Sequence, residues 1–242
     1  MYEEEEEDEM EDLIKALDDL HLPVPVPEFS HIQNLNVNLN TREVFVSDYI
    51  STEFGDWFTS VIRYLESKSD DPIIIWINTP GGDVQSMFTF HDLVRGSTCK
   101  VITIGTGQVC SAGVLMLACG NRRLVTESTV LMSHRGEDSI TGNLEQMEAQ
   151  ITVAKWTEDH WAELMSRYSP EVGPDGKARD QRYWFQLGKK TTEWWRTGGE
   201  AIIAEGLADD IYHARKLLEK DSEEDSKEEE IPKSSTESPN LA

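Results

Sequence analysis

A serine close to the start of a helix is the first residue whose type and position could do chemistry. Ser111 lies in Gly105–Gly113, a segment that leads from a predicted strand into a predicted helix. The free N–H groups and the positive dipole end of a helix stabilise an oxyanion that forms beside them. Serine is also a common N-cap residue, so by itself Ser111 fits a structural cap as well as a nucleophile. The neighbouring Cys110 could also act as the nucleophile, although its position favours a small buried side chain.

A histidine directly after a short apolar strand is the second such residue. His134 follows Val130–Ser133, where its ring could reach a neighbouring loop and act as a general base. A lone histidine is as readily explained by a structural hydrogen bond. The remaining five histidines have no metal-ligand spacing, so the sequence predicts no metal site; they are His21, His31, His91, His160 and His213.

The third feature is the turn Asn78–Asp83, which contains Pro80, Gly81 and Gly82. Two glycines allow a sharp turn with exposed backbone N–H groups, which an anionic oxygen could approach. A tight turn without a ligand is the simpler interpretation of this motif alone.

Together, the three features fit one reaction better than any of them does singly. A serine needs a base to become a nucleophile, and the developing oxyanion needs paired backbone donors. Each segment follows a predicted strand, and the carboxyl ends of parallel strands meet at one edge of a sheet. We therefore expect Gly82, Ser111 and His134 to lie close together.

Two familiar motifs are absent around Ser111. Val109 occupies the position where the Gly-x-Ser-x-Gly elbow of α/β-hydrolases requires glycine. Cys110 occupies the place where a dinucleotide-binding loop beginning at Gly105 would need its third glycine.

Alternating strand and helix patterns predict an α/β fold with a parallel sheet. The segment 73–77 is apolar on both faces, as in a strand covered by helices on both sides. The predicted strands are 44–46, 73–77, 99–104, 124–125 and 129–133, and the predicted helices are 54–65, 84–95, 111–119 and 143–167.

Acidic residues are concentrated at the two ends of the chain. The 242 residues carry a formal charge of −24, with 11 acidic residues and one basic residue in positions 1–20. We divide the chain into an acidic and Pro-rich arm (1–30), one domain (31–218) and an acidic tail (219–242) that should be disordered. Within the arm, leucines and an isoleucine at helical spacing in 13–20 suggest a short helix, followed by an extended Pro-Val repeat.

The composition excludes several classes of protein. No Lys/Arg cluster provides a surface for nucleic acid, and no apolar run approaches the roughly 20 residues that span a membrane. No signal peptide is visible, and three unpaired cysteines fit a reducing compartment, so we expect a cytoplasmic protein without membrane or nucleic-acid partners.

Three segments resemble the signature segments of the ClpP family, the peptidase subunits of ATP-dependent Clp proteases. They are 78–82, 107–113 and 131–134, and the segment 200–209 is similar to the last helix and strand of that family. The resemblance runs from about residue 42 to residue 213. It implies an α/β, crotonase-like fold of repeated ββα units, with a protruding handle helix within 141–170. A phage or prophage member of the family is one form that it leaves open.

The resemblance also implies roles for individual residues. Ser111 would be the nucleophile and His134 the general base, and the N–H groups of Gly82 and Ala112 would form the oxyanion hole. Glu193 stands where the family has an aspartate that completes the triad, and Asp180 is the alternative acid. No cofactor and no metal are implied.

By the same resemblance, the protein hydrolyses peptide bonds of unfolded proteins inside a homo-oligomeric chamber of stacked heptameric rings, fed by an AAA+ unfoldase. Two departures affect this expectation: 170–182 resembles an inserted loop, and the arm 1–30 replaces the family's N-terminal segment. Two alternatives therefore stay open. They are a catalytically impaired, ring-forming scaffold or regulatory subunit, and a crotonase-type acyl-CoA hydratase or isomerase.

Overall fold

The structure is a computed structural model that describes residues 35–137 and 139–213. The predicted arm 1–30, its short helix and the tail 219–242 lie outside the described residues. Among the helices of the described part, none is long and apolar enough to cross a membrane.

A mostly parallel sheet forms the centre of the described domain. Its strands follow the order β1-β2-β3-β4-β5-β8, and β6 pairs with the end of β4 and with β7. The first and last of these pairings, β1 with β2 and β6 with β7, are antiparallel. The strands are β1 (Val37–Asn38), β2 (Glu43–Ser47), β3 (Ile73–Thr79), β4 (Val101–Cys110), β5 (Arg122–Val125), β6 (Val130–Ser133), β7 (Trp194–Thr197) and β8 (Asp210–Ile211).

Helices cover the sheet through apolar faces. On α1, Phe58, Ile62 and Leu65 recur at helical spacing and are buried, and the Phe58 ring stacks on Phe90 of α2 with ring centroids 4.4 Å apart. The helices are α1 (Phe54–Glu66), α2 (Val84–Gly96), α3 (Ala112–Ala118), α4 (Leu144–Tyr168), α5 (Gln181–Lys190) and α6 (Gly199–Ala204). The predicted α/β class and the positions of the first four helices are confirmed.

Strand β4 is longer than the sequence predicts, and this difference positions the site. Its first half pairs with β5 and its last three residues, Gln108–Cys110, pair with β6. Between these two stretches Gly107 has φ 55°, and a Cβ atom there would lie 2.8 Å from Asn78 Oδ1, so glycine suits this position. The predicted end of this strand at residue 104 is therefore wrong, because pairing with β6 keeps the glycine-containing segment 105–110 in the sheet.

Helix α4 projects from the sheet as the predicted handle helix would. Asn143 caps its first turn, and its side chain and that of Gln146 form a reciprocal capping box. Burial is confined to the C-terminal part of the helix, at Ala162, Leu164 and Met165. Large apolar side chains on the earlier turns are exposed, among them Leu144, Val153 and Trp156.

The segment 170–182, which the sequence predicts as an inserted loop, is a loop only as far as Asp180, because α5 begins at Gln181. The buried Arg179 guanidinium donates to Glu205 Oε2 at 2.8 Å, and Arg196 Nε donates to the other oxygen, Oε1, at 2.7 Å. Arg179 also binds Asp175, and this hydrogen bond lowers the pKa of Asp175 to about 2. A buried carboxylate at the end of α6 thus joins the loop to β7.

We expect Glu205→Gln to destabilise the fold by about 3 kcal/mol, because it leaves the buried Arg179 with only the partly exposed Asp175 as a compensating charge. Urea unfolding monitored by circular dichroism measures this change. The matched control is Glu163→Gln, which breaks an exposed pair with Arg167 on α4 and should cost less than about 0.5 kcal/mol. Equal effects of the two substitutions would contradict the role given to Glu205.

Candidate active site

Pairing of β6 with the end of β4 brings Ser111 and His134 together. Cys110 and Met132 are partners in the parallel ladder, and Ser111 N–H donates to Met132 O at 2.7 Å. Strands β4 and β6 therefore end at the same edge of the sheet. There, His134 Nε2 lies 2.8 Å from Ser111 Oγ, which is hydrogen-bonding distance.

The backbone of Ser111 adopts an unusual conformation with φ 53° and ψ −116°. A non-glycine residue in this region is strained by about 1–3 kcal/mol, and such strain occurs mostly at functional sites. Although Ser111 immediately precedes α3, its side chain makes no capping hydrogen bond to the helix. The alternative that Ser111 is a side-chain N-cap is therefore wrong, and its hydroxyl is directed to His134 instead.

The glycine turn packs directly against the Ser111 segment. A Cβ atom on Gly81 would lie 2.5 Å from Ser111 Cβ, and one on Gly82 would lie 2.1 Å from Ile50 O. Gly81 and Gly82 also have φ 99° and 152°, which disfavours any side chain. Only glycine fits this close approach between the two segments.

Two backbone N–H groups are left available beside the Ser111 hydroxyl. Ile50 N–H donates to Gly81 O, and Ile50 O accepts from Asp83 N–H, so this pairing does not use the N–H of Gly82. Within the described residues, neither Gly82 N–H nor Ala112 N–H donates a hydrogen bond. Gly82 and Ala112 line the same cavity as Ser111, so an anionic oxygen in that cavity could receive both donors.

The two candidate acids lie in different places. Asp180 caps α5, where its Oδ1 accepts from Tyr183 N–H at 2.7 Å. Glu193 precedes β7, whose antiparallel register places Trp194 opposite Ser133. Glu193 and His134 are the next residues beyond this pair, but Glu193 Oε2 accepts from Trp195 Nε1 at 2.9 Å. Among the described residues, no carboxylate forms a hydrogen bond with His134.

Cys110 is poorly suited to nucleophilic chemistry. Its side chain is buried, and burial raises the pKa of the thiol, with a smaller contribution from the negative charge of Glu193. The thiolate is the reactive form, so little of it is present near neutral pH.

The cavity beside Ser111 has walls that the sequence did not reveal. Met87, Trp161, Trp184 and Phe185 provide apolar surface, and Arg135 with Glu158 forms an ion pair at 2.8 Å along it. Trp184 and Phe185 belong to α5, which was not predicted. The cavity volume is about 90 Å³. In the described part of the chain, no group of three or more His, Cys, Asp or Glu residues could hold a metal ion.

Comparison with known proteins decides the family. The family described as Clp protease matches residues 28–175, which include the glycine turn, Ser111 and His134. The chain belongs to the Clp protease family. The α/β fold expected from the resemblance is confirmed, since the chain covers 98% of a ClpP1 mutant from Listeria monocytogenes, with a TM-score of 0.61 over 77% of this chain. At 24% identity, this likeness shows the fold alone.

Curated relatives carry the name of the proteolytic subunit. ATP-dependent Clp protease proteolytic subunit 2 of Pseudomonas aeruginosa is 35% identical over 143 residues, which are 57% of this chain and 71% of the relative. The protein of the same name from Gluconobacter oxydans is 28% identical over 205 residues, which are 78% of this chain and 86% of the relative.

We expect Ser111→Gly to be more stable than Ser111→Ala by about 1 kcal/mol, because glycine releases the backbone strain at φ 53°. Both substitutions remove the hydroxyl, so chemical denaturation of the pair isolates the effect of the backbone. Ser60, exposed within α1, is the control site, where glycine should be less stable than alanine by about 1 kcal/mol. The same order at both positions would contradict strain at Ser111.

Proposed function

We propose that the protein is a serine endopeptidase that hydrolyses peptide bonds of unfolded proteins. The main observation behind this proposal is the 2.8 Å distance between Ser111 Oγ and His134 Nε2. The serine has a strained backbone and lies next to two available backbone N–H donors. Membership of the Clp protease family and relatives named as proteolytic subunits support this assignment. The Ser–His pair disfavours the crotonase-type alternative, which would work through an enolate rather than an acyl-enzyme.

In the proposed reaction, His134 Nε2 takes the proton of Ser111 as Oγ attacks the peptide carbonyl carbon. The carbonyl oxygen becomes an oxyanion, which accepts hydrogen bonds from the N–H groups of Gly82 and Ala112. His134 then gives the proton to the leaving amine, and an acyl-enzyme remains on Ser111. Water, with His134 again as base, releases the acid product and restores the serine.

Glu193 is the proposed third member of the triad. It comes directly after the last pair of β6 and β7, Ser133 with Trp194, on the side of His134, so a rotation of its side chain could bring the carboxylate to Nδ1. There it would hold the imidazole tautomer and favour the positive form that develops during attack. Asp180 is a weaker candidate, since its carboxylate caps α5.

We also propose that residues 31–218 form one domain, and that it assembles into heptameric rings that stack through the handle helix. The exposed apolar side chains on the first turns of α4 support this, because a partner would remove them from water. Unfolded protein would enter the chamber in the cytoplasm with the help of an AAA+ unfoldase.

A catalytically impaired, ring-forming subunit is the second candidate. It is favoured by one observation: the carboxylate of Glu193 binds Trp195 rather than His134. Such a subunit would assemble with an active relative and contribute little hydrolysis of its own.

Labelling with a fluorophosphonate probe distinguishes the active serine peptidase from the impaired subunit. We expect it to modify Ser111, as located by peptide mass spectrometry, because the probe requires an activated serine. Ser111→Ala and His134→Ala should each lower kcat for a fluorogenic peptide by at least about a thousandfold. Ser60→Ala is the matched control and should retain full activity.

Retained hydrolysis by Ser111→Ala would refute the serine mechanism. Assembly of the wild-type chain without any labelling of Ser111 would favour the impaired subunit. A thermal shift with coenzyme A would instead revive the crotonase-type alternative.

A further inference from the structure

The carboxylate of Glu193 has two neighbouring donors that could bind it. Trp195 Nε1 donates to Glu193 Oε2 at 2.9 Å, whereas His134 uses Nε2 for Ser111. His134 Nδ1 has no hydrogen-bond partner among the described residues. His134 Nδ1, which a triad acid would bind, thus has no partner among the described residues, while the proposed acid, Glu193, is bound to Trp195.

The register of β6 and β7 relates the side chains of Glu193, Trp195 and His134. Side chains of residues two apart in a strand point to the same face, as do those of directly opposed residues. Trp195 is paired with Met132, and the last pair of the ladder is Trp194 with Ser133. Glu193 and His134 come directly after this pair, so the same register continued by one residue would place them opposite each other, on the face of Trp195. Glu193 would then have the indole on its own side of the ladder and the imidazole across from it.

The charge of Glu193 is felt at the end of β4. Burial is the main cause that raises the pKa of Cys110, which immediately precedes Ser111, and the charge of Glu193 adds a smaller contribution in the same direction. Cys110 is paired with Met132 in the ladder between β4 and β6. The exposed carboxylate of Glu193 is therefore close enough to the end of β4 to act on it electrostatically.

We propose that Trp195 is a positioning residue that holds Glu193 away from His134, so that the indole N–H and the His134 Nδ1–H compete for one carboxylate. The inference rests on the proposed function, in which Glu193 completes the triad. Release of the indole would let the carboxylate bind Nδ1 and support the imidazolium during attack on the substrate.

Two properties would allow the hydrogen bond between Trp195 and Glu193 to open and form again. The Trp195 side chain is 46% exposed, so water can replace either partner when the bond opens. A hydrogen bond to a neutral donor in such a place is weak, and its loss changes an equilibrium by roughly three- to tenfold. Glutamate has one more methylene than aspartate, which gives it the reach to serve the two donors in turn.

The test is Trp195→Phe, which keeps an aromatic ring and removes the N–H donor. We expect kcat for a fluorogenic peptide to rise by roughly three- to tenfold with KM unchanged, because more molecules have Glu193 on His134. Glu193→Gln should lower kcat. In the double variant Trp195→Phe/Glu193→Gln the gain should vanish, since the tryptophan acts only through the carboxylate.

The matched control is Trp76→Phe on β3. Trp76 Nε1 donates to Glu43 Oε1 at 2.9 Å, so this substitution removes the same kind of bond away from the cavity. It should leave kcat and KM as they are in the wild-type chain. Size-exclusion chromatography of each variant establishes that the assembly is unchanged.

The remaining outcomes separate this inference from the proposed function. A lower or unchanged kcat in Trp195→Phe, or a gain that persists in the double variant, overturns the role of Trp195. Wild-type kcat in Glu193→Gln, with activity abolished in Ser111→Ala, overturns it while leaving the serine mechanism intact. Activity in Ser111→Ala refutes the proposed function itself.

Discussion

The parallel pairing of β6 with the last three residues of β4 is the constraint on which the site depends. Through this pairing Ser111 and His134 leave neighbouring strands at one edge of the sheet, and their side chains meet at 2.8 Å. Gly107, with φ 55°, lies between the residues of β4 that pair with β5 and those that pair with β6. The change of partner along β4 thus occurs at a residue whose backbone conformation favours glycine.

The glycine turn and the strained serine complete the arrangement from the other side. Gly81 approaches the Ser111 segment and Gly82 approaches Ile50 so closely that no side chain fits at either position, and Gly82 lines the cavity beside Ser111. The local cost of φ 53° at Ser111 is small beside the burial around it, because α3, which follows, is buried along its whole length. A rigid core thus holds a strained residue in place, an arrangement typical of a preorganised active site.

Local sequence patterns predicted the elements whose own residues determine them. The alternating burial of β3 and the apolar face of α1 follow directly from residues 73–77 and 54–65, and Asn143 marks the start of α4. Gly82, Ser111 and His134 were identified because each follows a predicted strand. A parallel sheet was expected to bring these three residues close together. The sequence did not reveal that the Ser111 hydroxyl is directed to His134 rather than to the helix.

Features that arise from contacts between distant segments were missed. The glycines of Gly105–Cys110 resemble a turn, and only pairing with β6 keeps this segment in a strand. Helix α5 has only ten residues, and its apolar run Tyr183–Phe185 is as typical of a short strand as of a helix. The bond between Trp195 and Glu193 depends on a side-chain rotamer and on the register of β7, neither of which the sequence reveals.

The central claim is that Ser111, His134 and two backbone N–H groups form one acylation site. The most direct measurement is a crystal structure of the protein after reaction with a fluorophosphonate. The account predicts phosphorus bonded to Ser111 Oγ, and one phosphonyl oxygen about 2.7–3.1 Å from both Gly82 N and Ala112 N. An adduct on another residue, or a phosphonyl oxygen that contacts neither N–H group, would contradict it.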